Sequence, residues 1–155
     1  MQIHNLSRLV IRVGGHLLLT KAKLKDGSDY FFLPGGHIEY HETIQEAAIR
    51  ELKEEINIDR HRVSDISLVG IYEHSWDNKG EPYHEIAFIS TCSISGLDPE
   101  KNVDSSESHI MFEWHPINDL TKINFLPVDF RTLLPKWLSQ PIPPDRFFAS
   151  NFLTK

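Results

Sequence analysis

Residues 35–58 read GGHIEYHETIQEAAIRELKEEINI, and this segment sets the architecture around it. Thr43 and Glu46 have the spacing of a capping box, which predicts that a helix begins directly after Thr43. Apolar residues then recur every four positions up to Ile56, which predicts one buried helix face. Asn57 is one of the few residue types that tolerate the left-handed conformation of a helix end, so we predict that the helix ends at residue 56 or 57.

Three carboxylates of this helix fall on one narrow arc at the edge of the buried face when residues are placed at about 100° each. They belong to Glu51, Glu54 and Glu55. Like charges at this spacing repel each other by about 0.2–0.5 kcal/mol per pair, and partial burial strengthens the repulsion. Arg50 can offset only part of it. A divalent cation would resolve the conflict, because Mg²⁺ takes carboxylate and phosphate oxygens; an ordinary solvated acidic face is the alternative.

The loop before the helix is rich in glycine. Pro34, Gly35 and Gly36 lie between a predicted short strand and the acidic helix. Glycine permits a sharp turn and lets the backbone approach a ligand closely. A Gly-Gly turn alone is a weak indication, but its place before the carboxylates favours a ligand site over a solvated face.

Elsewhere the chain alternates strand patterns with turn signals. Apolar and β-branched runs predict six strands, with tight turns at residues 14–15 and 77–80. The strands are expected at residues 9–13, 16–22, 30–33, 66–76, 84–94 and 110–114. A second helix is predicted over residues 128–138, where Pro135 interrupts it or divides it into two short pieces. This order of elements indicates an α/β fold with a mixed sheet and helices on both faces.

Length and composition fit one domain. The chain has 155 residues, 40% of them hydrophobic and 25% charged, which suffices for an ordinary globular core. We assign residues 1–140 to this domain. Residues 141–155 form a tail containing Pro and Phe that either packs on the body or makes a contact in a homodimer.

Charge and hydropathy argue against several classes of partner. The formal net charge of -6 argues against binding a nucleic-acid polymer, which requires clustered Lys and Arg. No apolar run approaches the roughly 18 residues that span a bilayer, and no secretory signal is visible at the start. The single cysteine, Cys92, excludes an intrachain disulfide and is explained by packing in an apolar strand. We therefore expect a cytoplasmic protein.

At this point the sequence resembles a known family. The Nudix box reads Gly, five residues, Glu, seven residues, then Arg-Glu-apolar-any-Glu-Glu-any-Gly-apolar. The chain matches it over 23 residues with Gly36, Glu42, Arg50-Glu51-Leu52, Glu54-Glu55 and Ile58. Only Asn57 departs, where the box has its second glycine. The resemblance extends to about residue 138 on the order of elements.

The resemblance implies both a fold and an activity. The fold would be an α/β/α sandwich with a mixed β-sheet and a loop–helix–loop catalytic motif. The activity would be that of a pyrophosphohydrolase that depends on Mg²⁺ or Mn²⁺. It would cleave a phosphoanhydride bond in a nucleoside diphosphate linked to another moiety, by attack of a metal-activated water on phosphorus. The partner would be a nucleotide-type small molecule.

The same resemblance implies roles for particular residues. The metal ligands implied by position are Glu51, Glu54 and Glu55. Glu51 would also help to activate water, and Arg50 would orient the carboxylates. Gly35 and Gly36 would give the substrate access to the backbone, and Glu42 would help to hold the loop and could join the metal network.

A further acid from outside the box is also expected, because an attacking water needs a base within hydrogen-bond reach. Glu107 is the first candidate, since it lies in a polar loop and functional acids are often carried by loops; an ordinary solvated loop glutamate is its alternative. Glu85 comes next, as an odd charge in an apolar strand and a candidate substrate contact. Glu113, beside Trp114, is the third, with a solvent-facing side chain as its alternative.

Two alternatives remain open at this stage. A non-catalytic Nudix-fold sensor or interaction module is the rival function, although the intact box favours the enzyme. The aromatic side chains of the later strands either fill the core or line a base-stacking pocket. These strand residues are Tyr72, Trp76, Tyr83 and Phe88. Core packing is expected of all three tryptophans, Trp76, Trp114 and Trp137.

Overall fold

The computed structural model describes residues 2–78, 80–139 and 148–150. The strands are β1 (Ile3–Val13), β2 (His16–Lys23), β3 (Asp29–Phe32), β4 (Val63–Asn78), β5 (Glu81–Ile94), β6 (Met111–Pro116) and β7 (Phe148–Ser150). The helices are α1 (Ile44–Ile56) and α2 (Phe130–Trp137), with 3₁₀ turns at Arg60–Arg62 and Ile117–Lys122. Among the described residues, no helix is long and apolar enough to cross a membrane.

One seven-stranded sheet organises the chain. Its order is β3-β2-β1-β5-β4-β7, and β6 pairs with β2. The β1–β5 and β4–β7 pairs are parallel, whereas the other pairs are antiparallel. The predicted mixed sheet is therefore confirmed, and so is the β4–β5 hairpin expected from its turn signal.

The sheet buries an apolar core on each face, because successive side chains of a strand point to opposite sides. Leu6 and Val10 of β1 face the core that includes Leu134 and Trp137 of α2. The opposite face packs against α1. Its buried members include Leu9, Ile11, Leu18, Ala48, Leu52 and Ile56. Helices on both faces confirm the predicted sandwich.

Helix α1 begins and ends where its local signals predict. The Thr43 hydroxyl accepts a hydrogen bond from the Glu46 N–H at 3.2 Å, and the Glu46 carboxylate accepts one from the Thr43 N–H at 2.8 Å. Asn57 adopts the left-handed conformation, with φ 53° and ψ 35°. The N–H of Ile58 then donates to the carbonyl of Leu52 at 3.1 Å, which closes the helix end.

The prediction that Pro135 interrupts the second helix was wrong. Pro135 lies inside α2, which continues from Phe130 to Trp137. A proline in a helix interior costs about 3 kcal/mol. Burying Phe130, Leu134 and Trp137 offsets this, since each side chain contributes about 1.5–3 kcal/mol when removed from water. Packing on the sheet therefore outweighs the lost hydrogen bond.

Strand β1 is longer than the predicted 9–13, because it begins at Ile3. Residues 3–11 pair in parallel with residues 84–92 of β5, and this long-range ladder stabilises the polar first half of the strand. Cys92 is buried as expected, and burial raises the pKa of its thiol to about 12.

Of the predicted tail, residues 148–150 form β7 beside residues 71–73 of β4. Residues 141–147 and 151–155 lie outside the described residues. The division of the chain at residue 140 stays a prediction.

Candidate active site

The glycine loop is attached to β1 by backbone hydrogen bonds. The N–H of Ser7 donates to the Gly36 carbonyl and the N–H of Leu9 donates to the Pro34 carbonyl, both at 2.9 Å. Gly35 has φ 113°, and a Cβ there would lie 2.2 Å from the Ser7 carbonyl oxygen. A Cβ at Gly36 would lie 2.4 Å from a carboxylate oxygen of Glu51. Both glycines are needed because the loop passes directly against β1 and α1.

The three carboxylates of α1, placed on one arc of the helix, differ in burial. Glu55 is buried, Glu51 is half-buried and Glu54 is exposed. The N–H of Gly35 donates to Glu55 Oε2 at 3.0 Å. Burial raises the pKa of Glu55 to about 7, although the Gly35 hydrogen bond and the charge of Arg8 act in the opposite direction.

Arg50 connects the acidic residues of the box. Its guanidinium donates to both carboxylate oxygens of Glu42, at 2.9 and 3.0 Å. The Nη1 atom also donates to Glu51 at 2.8 Å and to Glu54 at 3.0 Å. The carbonyl of His37 accepts a further bond from Nη2 at 2.8 Å. These contacts raise the pKa of Arg50, with the Glu42 hydrogen bond first among the causes.

The carboxylates fit a hard divalent cation in chemistry. Glu51 and Glu107 lie close enough to Glu55 to raise its pKa, so several oxygen donors converge there. In the described part of the chain, however, no three His, Cys, Asp or Glu side chains are already arranged to hold one ion. Arg50 holds Glu51 and Glu54 instead. Ion binding would therefore require these side chains to exchange partners.

The candidate extra acids occupy three different environments. Glu107 is half-buried in the loop before β6, where the Ser106 N–H donates to the Glu55 carbonyl at 2.7 Å and so fixes the loop to the end of α1. The Glu107 carboxylate also lies 3.2 Å from His109. Glu113 forms an ion pair with Lys21 on the β2–β6 ladder.

Glu85 lies on β5, where its Oε2 atom is 2.7 Å from Nε2 of His74. The two side chains are 13% and 11% exposed, and both line a cleft. The structure thus brings Glu107 to the box and directs Glu85 into the cleft.

This cleft has a volume of about 620 Å³ and lies on the α2 side of the sheet. Tyr30 and Phe32 of β3 line it with stacked rings 5.5 Å apart. On β4, alternate residues point into it, namely Tyr72, His74 and Trp76. Segment 126–130 completes the lining.

Two of the four aromatic residues considered from the sequence line the cleft, namely Tyr72 and Trp76. Tyr83 packs beside Trp76 with ring centroids 4.3 Å apart. Phe88 is at an even-numbered position of β5 and so faces away from Glu85 and the cleft. The expectation that Trp76 is core was wrong, since it is 40% exposed, whereas Trp137 is fully buried.

Arg8 is a candidate residue that the sequence reasoning missed. Its guanidinium lines the cleft and lies 5.3 Å from the centre of the Phe32 ring. Its Nη1 atom donates to the carbonyls of Leu33 and Gly35. The signal in the sequence was a cation at a core position of β1, between Leu6 and Val10, but the predicted strand began only after it.

Comparison with known proteins now decides the family. The sequence profile described as the NUDIX domain matches residues 4–136. The chain belongs to the Nudix family. Hydrolases of this family generally use a divalent metal, in agreement with the oxygen donors that converge around Glu55.

Known relatives of this Nudix chain include an ADP-ribose pyrophosphatase from Methanocaldococcus jannaschii, 31% identical over 116 residues. The match covers 75% of this chain and 63% of that protein, so the chain spans less than two thirds of its relative's length. A Caenorhabditis elegans Ap4A hydrolase structure has a TM-score of 0.60 and 26% identity, over 85% of this chain and 93% of that one.

A MutT protein from Bacillus halodurans has the same fold. Its TM-score is 0.63 at 20% identity, over 95% of this chain and 88% of that one. The fold of this Nudix chain therefore extends over nearly all of the described residues.

Proposed function

We propose that this Nudix domain is a pyrophosphohydrolase, dependent on Mg²⁺ or Mn²⁺, which cleaves a phosphoanhydride bond in a nucleoside diphosphate linked to another moiety. One observation carries the proposal. The carboxylates of Glu51 and Glu55 lie against the Gly35–Gly36 loop, and Arg8, which lines the aromatic cleft, donates a hydrogen bond to the carbonyl of Gly35 in that loop.

In this proposal the metal ligands are Glu51, Glu54 and Glu55. A bound divalent cation would lower the pKa of water and stabilise charge on the leaving phosphate. Glu51 also positions the attacking water. Arg50 orients these carboxylates, and it would keep Glu42 as a partner if Glu51 and Glu54 bound the ion, because its contact with Glu42 uses Nε and Nη2.

Glu107 is our candidate for the acid from outside the box. Its loop is attached to α1 through the Ser106 hydrogen bond, and its charge acts on Glu55. Glu85 is the alternative, but its contact with His74 and its place in the cleft favour a role in substrate binding.

The relatives direct the choice of substrates to test. One is named for ADP-ribose and another for Ap4A. The volume of the cleft falls within the range of about 300–1,000 Å³ that small-molecule sites occupy. We therefore infer a nucleotide-type small molecule as the partner. The cytoplasmic location and a homodimer contact through the tail remain predictions.

The test is a hydrolysis screen over ADP-ribose, other nucleotide sugars, dinucleoside polyphosphates and nucleoside triphosphates, with and without Mg²⁺ or Mn²⁺. Glu54→Gln and Glu55→Gln should each lower kcat by roughly a hundredfold or more, because each removes a charged ligand. Glu46→Gln is the matched control on the same helix, since Gln also completes a capping box. Near-parental rates in both box variants, or no hydrolysis in the whole screen, would contradict the proposal.

A further inference from the structure

Arg8 is a cation at a position where the sheet otherwise buries apolar side chains. Leu6 and Val10, two residues before and after it on β1, are each 1% exposed and belong to the core on the α2 side. Arg8 points to the same side but is only half-buried, because it borders the cleft. Its guanidinium is supported from one side by the ring of Phe32. The side chain is thus held in place at the wall of an open cavity.

The hydrogen bonds of Arg8 leave much of the guanidinium free. A guanidinium carries five N–H donors. Both bonds to the carbonyls of Leu33 and Gly35 use Nη1. Among the described residues, no carboxylate lies within 4.0 Å of Arg8, and its Nε and Nη2 atoms have no hydrogen-bond partner. Neither atom is among the buried polar atoms of the described residues that have no partner, so both are accessible, and a ligand in the cleft that Arg8 lines can accept hydrogen bonds from them.

Charges surround Arg8 on two sides. Burial lowers the pKa of its guanidinium, while Glu85 in the cleft and Glu55 and Glu51 in the box raise it. Arginine stays protonated in such a setting, so the charge persists. Arg8 therefore stands between the cleft and the acidic box, and an anion placed there would contact a cation that no neighbouring acid neutralises directly.

We propose that Arg8 binds the phosphate adjacent to the nucleoside, and that the aromatic part of the cleft holds the nucleobase against Trp76. An arginine fork matches phosphate oxygens in geometry as well as charge. Trp76 offers an exposed ring in the same cleft, and aromatic rings stack on any base. The inference rests on the proposed function, because it assumes that the phosphoanhydride end of the ligand reacts at the box. The binding of the nucleoside monophosphate can be measured without hydrolysis.

Binding of nucleosides and their monophosphates tests the proposal in the absence of metal. Adenosine, guanosine, cytidine and uridine are each compared with their 5′-monophosphates by calorimetry, in EDTA. For the preferred base, the monophosphate should bind about tenfold to a hundredfold more tightly than the nucleoside, as a charge-assisted hydrogen bond supplies. Quenching of Trp76 fluorescence should accompany binding and disappear in Trp76→Phe.

The Arg8 variants isolate the phosphate contact. Arg8→Gln should abolish the preference for the monophosphate and leave nucleoside affinity unchanged, while Arg8→Lys should retain part of it. Trp76→Ala should weaken both ligands by the same factor. An unchanged preference in Arg8→Gln, no binding of any monophosphate, or equal loss of nucleoside and nucleotide in both Arg8 variants would overturn the proposal.

The two proposals fail separately. Glu54→Gln should lose hydrolysis yet keep the Arg8-dependent preference. If the parent protein hydrolyses nucleotides and Arg8→Gln keeps the preference, only the Arg8 inference is wrong. If no substrate is hydrolysed but the preference depends on Arg8, the proposed reaction is wrong and the binding site stands.

Discussion

The acidic box and the aromatic cleft satisfy their charged groups in different ways. In the box each acid has a hydrogen-bond donor, since Arg50 serves Glu42, Glu51 and Glu54, and the Gly35 N–H serves Glu55. In the cleft, the hydrogen bonds that Arg8 makes within the described residues all go to backbone carbonyls. Each carboxylate of the box therefore already has a hydrogen-bond donor, whereas the guanidinium of Arg8 borders a cleft that a ligand can enter.

The two regions also differ in how the chain assembles them. The box uses one continuous stretch from the glycine loop to the end of α1. The cleft collects side chains from β1, β3, β4, β5 and segment 126–130. Because we place the reaction at the box and ligand binding in the cleft, substitutions in the box should act mainly on kcat, and substitutions in the cleft mainly on KM.

Apart from loss of a metal ligand, the largest expected effect distinguishes the two candidate acids. Glu107→Gln should lower kcat by roughly a hundredfold, the usual contribution of a positioned base, and remove the acidic limb of the pH–rate profile. Glu85→Gln should mainly raise KM, because Glu85 lines the cleft. Steady-state kinetics from pH 5 to 9 measures both. If only Glu85→Gln loses kcat and the acidic limb, the assignment of Glu107 is wrong.

Substitution of the two loop glycines should affect different properties, stability at Gly35 and kcat at Gly36. Gly35→Ala places a Cβ against the Ser7 backbone at positive φ, which should cost about 1–3 kcal/mol of unfolding free energy. In Gly36→Ala, the three atoms nearest to the added Cβ belong to the side chain of Glu51, which can rotate away. That variant should keep its stability and lose kcat by up to about a hundredfold, the cost of a misplaced catalytic group. Urea denaturation and kinetics decide; equal stability losses in both variants would contradict this difference.

The structure of the box could be predicted from local signals, because its helix caps and its carboxylates all lie within one short stretch of sequence. The capping pair Thr43 and Glu46, the left-handed Asn57 and the burial of Glu55 above Glu54 all follow from helix periodicity. The ligand roles assigned to the carboxylates stay predictions, since Arg50 holds two of them.

The cleft could not be predicted in this way. The direction of Arg8 and the exposure of Trp76 depend on strand pairing between distant parts of the chain. The same limit applies to Pro135, whose tolerance depends on packing of α2 against the sheet. The alternation of side chains along β5 places Glu85 and Phe88 on opposite faces of the sheet. Which of these faces carries the cleft could not be predicted from the sequence.

The raised pKa of Glu55 should make the free energy of unfolding of the metal-free protein depend on pH. The folded pKa of Glu55, about 7, lies above its ordinary 4.5. The stability that protonated Glu55 contributes is therefore complete below pH 4.5 and lost as the pH rises through about 7. We expect the parent to lose about 2–3 kcal/mol relative to Glu55→Gln between these limits.

Urea denaturation in EDTA at pH 4.5, 6 and 7.5 measures this loss, with Glu46→Gln as the control that keeps the parental slope. Saturating Mg²⁺ should reduce the slope, because a cation favours the ionised carboxylate. Identical pH dependence in the parent and in Glu55→Gln would show that Glu55 ionises as freely as it does in the unfolded chain.

The smallest effect is expected where the sequence departs from the box. Asn57 already has the left-handed conformation that glycine would supply. Asn57→Gly relieves little strain and removes the hydrogen bond from Lys53 Nζ to the Asn57 side chain, at 2.6 Å on the surface. These changes oppose each other, so the free energy of unfolding should change by less than about 1 kcal/mol and kcat should stay the same. Asn57→Ala, which lacks this tolerance, should instead lose about 1–2 kcal/mol. A large gain of kcat in Asn57→Gly would mean that residue 57 affects the reaction as well as the end of α1.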